Sequence, residues 1–165
     1  ANFRRYDLSD YVASLLNEYR IPASSLTIEL TESTATTLTP DMHDVVRRLR
    51  QMDVGLSIDD FGTGFSNLSS LVNLPVTEVK LDRMFIEKAL EDTRLRALVS
   101  GVVAMGSSLG LTVVAEGVET RRQYDLLKDL RCDVVQGYLF SRAIPPESIS
   151  GWIAARYGDA RLLGK

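Results

Sequence analysis

The chain has 165 residues, 45% of them hydrophobic and 25% charged, and a formal net charge of -3. That size and hydrophobic share suit one soluble domain with its own core, and the acidic balance excludes non-specific nucleic-acid binding, which needs a basic surface. Charged residues recur too regularly for an apolar run to span a membrane, and Ala1-Asn2-Phe3-Arg4-Arg5 does not lead into a signal-peptide core.

From the N-terminus, Asp7 to Tyr19 carries Leu8, Val12, Leu15, Leu16 and Tyr19 at helical spacing. Leu26 to Leu30 reads as a strand. Thr39-Pro40-Asp41 opens a helix with a cap, a proline at the first helical position and an early acid, and that helix runs to about Met52. Val54 to Ile58 is the next strand, followed by a short helix near Asn67 to Val72 and a strand from Val76 to Leu81. A long helix covers Thr93 to Leu109, and Leu111 to Ala115 is the fourth strand. Thr120 and Gln123 make a capping box for a helix ending near Leu130. Val134 to Gln136 is a short strand, and Pro145-Pro146-Glu147 opens a last helix to about Tyr157.

The pattern is one helix followed by five strand-helix units, which implies a parallel sheet covered by helices. Five units are too few to close a barrel of eight, so the sheet is either open or most of a barrel. The single cysteine, Cys132, cannot form an internal disulfide and is expected to be a buried thiol in a reducing cytoplasm. His43, the one histidine, sits at a helix start remote from the strand ends and is expected to be a surface residue. Arg47, Arg48 and Arg50 read as a solvated helix face, Met105 as core filling, and Trp152 with Ile149 and Ile153 as helix packing.

The chemistry gathers at the strand ends. Each strand has an ionisable or amide residue at or near its C-terminal end: Glu29 then Glu32, Asp59 and Asp60, Lys80 then Asp82, Glu116 then Glu119, and Gln136. In a parallel α/β sheet or barrel these ends share one rim, where active sites form. Glu29, Asp59, Asp60 and Glu116 are hard oxygen donors, suited to Mg²⁺ or Mn²⁺ rather than zinc. Such acids around two metals suit phosphodiester hydrolysis, and Lys80 would add a fixed positive charge. The competing reading is that these acids are half solvated and pair with lysines and arginines. Asp59-Asp60-Phe61-Gly62-Thr63-Gly64 is then a solvated turn rather than a metal site. Gly62-Thr63-Gly64 is neither a P-loop nor a dinucleotide fingerprint, since no Gly-Lys-Ser/Thr and no third glycine follow.

Five motifs occur in order. They are Ile28-Glu29-Leu30-Thr31-Glu32-Ser33; Ile58-Asp59-Asp60-Phe61-Gly62-Thr63-Gly64-Phe65-Ser66-Asn67-Leu68; Val79-Lys80-Leu81-Asp82; Val114-Ala115-Glu116-Gly117-Val118-Glu119-Thr120; and Gln136-Gly137-Tyr138-Leu139-Phe140. Together they resemble the EAL domain of cyclic di-GMP phosphodiesterases. The resemblance implies a (β/α)8 TIM-like barrel with one antiparallel strand. It also implies metal-dependent hydrolysis of cyclic di-GMP to linear pGpG, with Mg²⁺ or Mn²⁺ in a two-metal site. By the same resemblance Glu29, Asp59, Asp60 and Glu116 are metal-site carboxylates, with Glu116 also helping to activate the water. Lys80 contacts the water or phosphate, and Gln136 is a site residue at the last strand. Glu32 and Glu119 are supports, Glu32 for the loop after Asp60. That loop, Phe61, Gly62, Thr63, Gly64, Phe65, Ser66 and Asn67, resembles a regulatory loop near which family members dimerise. A sensory or diguanylate cyclase domain upstream is the further implied partner.

The Glu-Ala-Leu tripeptide that names the family is absent from this sequence, as is the upstream strand with an asparagine ligand. Residues 1–165 are therefore expected to be the C-terminal portion of the domain, an incomplete barrel lacking its first three strands and two metal ligands. The expected activity belongs to the completed domain, with little from these residues alone. A catalytically inactive cyclic di-GMP receptor, a protein-interaction module and an inactive truncated product are the alternatives.

Overall fold

The computed structural model describes residues 8–62 and 68–157. The elements alternate as the hydrophobic pattern requires. Helix α1 (Leu8–Tyr19) and a single 3₁₀ turn precede strand β1 (Thr27–Thr31), α2 (Glu32–Thr36) and α3 (Pro40–Gln51). Strand β2 (Gly55–Phe61) leads to α4 (Leu68–Asn73), and β3 (Glu78–Leu81) to α5 (Arg83–Lys88) and α6 (Thr93–Leu109). Strand β4 (Thr112–Ala115), α7 (Arg121–Asp129), β5 (Val134–Val135) and α8 (Pro146–Tyr157) complete the order. The capping signals act where the sequence puts them. Thr39 caps α3 ahead of Pro40, and Thr120 with Gln123 closes a full capping box on α7.

The strands form one parallel sheet in the order β1-β2-β3-β4-β5. Each neighbour is the next strand in the chain, so every crossover carries helix to the same side, as in a barrel wall. Among the described residues the sheet is not closed, and β1 and β5 are its edges. Alternation sorts the side chains by face. Leu56, Ile58, Val79, Leu81, Val113 and Ala115 join the helices in the main core, and each of the six is almost wholly buried. The intervening residues Glu29, Ser57, Asp59, Lys80 and Val114 belong to the opposite, concave face. Val114 is buried yet lies outside the helix-side core.

Several expectations change. The second strand does not end at Ile58 but runs on to Phe61, so Asp59 and Asp60 lie inside it. The ladder continues there regardless of side-chain preference, since Thr31 pairs with Asp59 and Leu81 with Phe61. The fifth strand stops at Val135, although the Gln136 amide still donates to the Ala115 carbonyl at 2.9 Å. Arg50 is not a solvated side chain: its guanidinium reaches back 2.8 Å to the Val54 carbonyl at the entry to β2. Two short helices, α2 and α5, were not foreseen. Thr31 caps the first and Asp82 the second, so Asp82 accepts from the Met84 amide at 2.7 Å instead of facing the rim as a free acid.

Candidate functional site

Lys80 is the centre of the rim. It comes from β3 on the concave face, and only 7% of the residue is exposed. Its ammonium stands 2.7 Å from Glu29 Oε1, 2.6 Å from Glu116 Oε1 and 3.4 Å from Asp59 Oδ1. The parallel register makes this convergence unavoidable. Glu29 of β1 is beside Ser57 of β2, Asp59 is one pleat further along β2, Lys80 is beside Val114, and Glu116 is one pleat beyond Val114. Four chain segments thus deliver one cation and three carboxylates to one point.

A buried ammonium is costly unless paired, and here the pairing wins. Burial alone would lower the Lys80 pKa. The hydrogen bonds with Glu116 and Glu29, and the charges of Glu116 and Asp59, outweigh it and hold the group well above its ordinary value. Lys80 is therefore a permanent cation at neutral pH. Asp59 Oδ1 is buried without a hydrogen bond, and Lys80 at 3.4 Å is an ion-pair contact only. Ser57 Oγ, on the same face of β2, is likewise buried and unmatched.

A β-bulge sets the two adjacent aspartates. Ile58 pairs with Val79 and Phe61 with Leu81, so Asp59 and Asp60 together oppose the single residue Lys80. Asp60 takes a φ of 55°, a left-handed conformation that costs a non-glycine residue about 1–2 kcal/mol. Bulges of this kind re-aim side chains beside functional sites. The next residue begins the loop. The Gly62 amide donates to the Glu32 carboxylate at 3.0 Å, and Gly62, at φ 95°, passes so close to the Phe85 ring that a Cβ would meet it at 2.9 Å. Glu32 is buried on α2 and ties the start of the loop to β1. Phe61 is buried in the core, whereas Thr63 to Asn67 of the expected regulatory loop lie outside the described residues.

Glu119 pairs with Arg83 rather than with Lys80. Glu119 takes the Arg83 guanidinium at 2.6 and 3.3 Å, and its amide donates to Gln123 Oε1 at 2.8 Å. Gln136 is exposed, and its carbonyl accepts from the Val118 amide at 3.0 Å, which docks the end of β5 on the loop after β4. His43 is half-buried at the start of α3. Cys132 is half-buried too, its thiol donating to the Val113 and Val134 carbonyls at 3.3 and 3.4 Å. Sequence reasoning missed Arg83. The available signal was its spacing, three residues after Lys80, as Glu119 is three after Glu116.

Among the described residues no three carboxylate, imidazole or thiolate groups stand close enough together to chelate an ion by themselves; the acids close on Lys80 instead. Their chemistry nevertheless fits a hard divalent cation. All the donors are oxygens, the three carboxylates outnumber the one ammonium, and Asp59 Oδ1 is a buried acceptor with no donor.

Residues 1–143 match the family model described as EAL domain. The oxygen sensor protein DosP of Escherichia coli K12 is 46% identical over 154 residues, which is 93% of this chain and 19% of that protein. The chain thus spans about a fifth of the length of that curated relative. Among solved structures, the PaMucR phosphodiesterase in complex with c-di-GMP superimposes with a TM-score of 0.81 at 42% identity, over 89% of this chain and 60% of that one. The manganese and cyclic di-GMP complex of Klebsiella pneumoniae BlrP1 gives a TM-score of 0.79 at 32% identity, over 85% of this chain and 36% of that one. Among the described residues no helix is long and apolar enough to cross a membrane.

Proposed function

Because the chain belongs to the EAL domain family, we propose that within its full-length protein it hydrolyses one phosphodiester of cyclic di-GMP to linear pGpG. The observation that carries this reading is the buried Lys80 ammonium held by Glu29, Asp59 and Glu116 from three other chain segments. Relatives solved with c-di-GMP, and with manganese, share this fold at 42% and 32% identity.

Glu29, Asp59, Asp60 and Glu116 would hold Mg²⁺ or Mn²⁺. When bound, such ions would lower the pKa of a coordinated water and stabilise the charge that develops on the reacting oxygens. Lys80 supplies a charge that does not titrate near neutral pH. It orients the Glu29 and Glu116 carboxylates and favours the negative charge that builds on the phosphate. Glu116, on the loop after β4, would help to activate the attacking water. Gln136 would contact the substrate from the end of β5. Glu32 and Glu119 hold the two loops that border the site. Residues 1–165 would form the C-terminal portion of the domain, in a cytoplasmic protein with a sensory or diguanylate cyclase segment elsewhere in the chain. Homodimerisation near the loop after Asp60 would regulate it.

The test is Mg²⁺- or Mn²⁺-dependent release of pGpG by the full-length protein, abolished by chelation and by Asp59→Ala. The closure of the acids on Lys80 favours one other reading, a cyclic di-GMP receptor that does not turn over. Calorimetric binding of cyclic di-GMP with no product would select it.

A further inference from the structure

We propose that Arg83 is a positioning residue that sets the loop after β4 and thereby aims Glu116 at Lys80. The proposal rests on the reading of Glu116 as a site carboxylate. Arg83 is the second residue after β3, and its side chain lies across the next strand's loop. Its guanidinium forks onto both Glu119 oxygens at 2.6 and 3.3 Å, while Nε donates to Glu87 at 2.6 Å. Its stem fills the space beside Gly117: a Cβ at that glycine would meet Arg83 Cβ at 2.5 Å and Cγ at 2.7 Å. Gly117 has a φ of 65°, so the chain turns there without a side chain to compete.

The other side of the loop is equally fixed. The Val118 amide donates to the Gln136 carbonyl at 3.0 Å, and the Leu139 amide donates to the Val118 carbonyl at 2.9 Å. The Glu116 amide donates to the Leu81 carbonyl at 3.0 Å. The loop is thus clamped between Arg83 and the segment after β5. Glu116 precedes Gly117, so a shift of the loop moves the carboxylate that sits 2.6 Å from Lys80. Two rungs at the same spacing, Lys80 to Glu116 and Arg83 to Glu119, lock the ends of β3 and β4 together. A planar bidentate fork fixes direction as well as charge, which a lysine cannot do.

The test compares Arg83→Gln, Glu119→Gln, their double variant and Arg83→Lys in the full-length protein. Amide hydrogen exchange is followed in the segment from Glu116 to Glu119, together with Mn²⁺ affinity and, where the wild type turns over cyclic di-GMP, kcat and KM separately. Each glutamine variant is expected to speed exchange in that segment and to weaken Mn²⁺ affinity or kcat by about 10- to 100-fold, with KM little altered. The double variant should be no worse than either single one, and Arg83→Lys should recover only part of the loss. Unchanged exchange in the segment overturns the proposal whatever the wild-type activity. Faster exchange with wild-type Mn²⁺ affinity and kcat overturns it too, since Arg83 would then be structural only. A wild type that binds Mn²⁺ but hydrolyses nothing contradicts the proposed function, while exchange and Mn²⁺ affinity still decide the role of Arg83.

Discussion

Lys80 Nζ lies 2.6 Å from Glu116 Oε1, across the boundary between β3 and the loop after β4. The contact joins a residue buried in a strand to one carried by a loop, and Glu29 and Asp59 close on the same ammonium from β1 and β2. One cation therefore measures the relative placement of four segments.

Lys80→Met removes that cation while keeping the stem volume. Three carboxylates are then left facing one another. Stability should fall by about 1–3 kcal/mol, toward the low end because solvent screens the half-exposed Glu29. Thermal unfolding of the full-length protein measures this, and Mn²⁺ should restore part of the lost Tm. Hydrolysis should fall by about 10²- to 10³-fold, as when one charge-stabilising donor is deleted.

The bulge at Asp60 separates a backbone cost from a chemical role. Asp60→Gly should be more stable than Asp60→Ala by about 1 kcal/mol, because only glycine accepts the left-handed φ of 55° without a Cβ penalty. Both variants lack the carboxylate and should lose hydrolysis together. Denaturant titration and a turnover assay on the two proteins check the pair of outcomes. Equal stability would remove the strain argument.

Cys132 gives a pH dependence with a defined sign. Burial is the main cause that pushes its thiol above the ordinary value of 9.0, and the neighbouring Asp133 adds to it. The folded chain then holds the proton more tightly than the unfolded chain. Stability linked to this group is intact below about pH 9 and declines as pH rises beyond it. Cys132→Ala should flatten the unfolding profile above that point. Alkylation of the native thiol at pH 8 should be slow and become fast in denaturant.

The long periodic helices and the presence of five parallel strands were legible in sequence, because burial imposes a period and caps mark the ends. Thr93 to Leu109 came out residue for residue as α6. The run through Asp59 and Asp60 was not legible as strand, since two carboxylates and a following glycine look like a turn. The ladder to β1 and β3 overrides that local preference. The convergence of Glu29, Asp59, Lys80 and Glu116 followed from the rule that parallel strand ends share a rim. That Lys80 would gather the acids depended on register, which no single strand reveals. Arg83 stayed hidden for a different reason. It lies on a helix of six residues, too short to show a period, and its partner Glu119 is 36 residues away.

The most direct measurement is conversion of cyclic di-GMP to pGpG by the full-length protein, followed by chromatography with and without Mn²⁺. Metal-dependent accumulation of pGpG that disappears in Asp59→Ala is the predicted result. A protein that binds Mn²⁺ and cyclic di-GMP yet leaves the dinucleotide intact would contradict the phosphodiesterase reading.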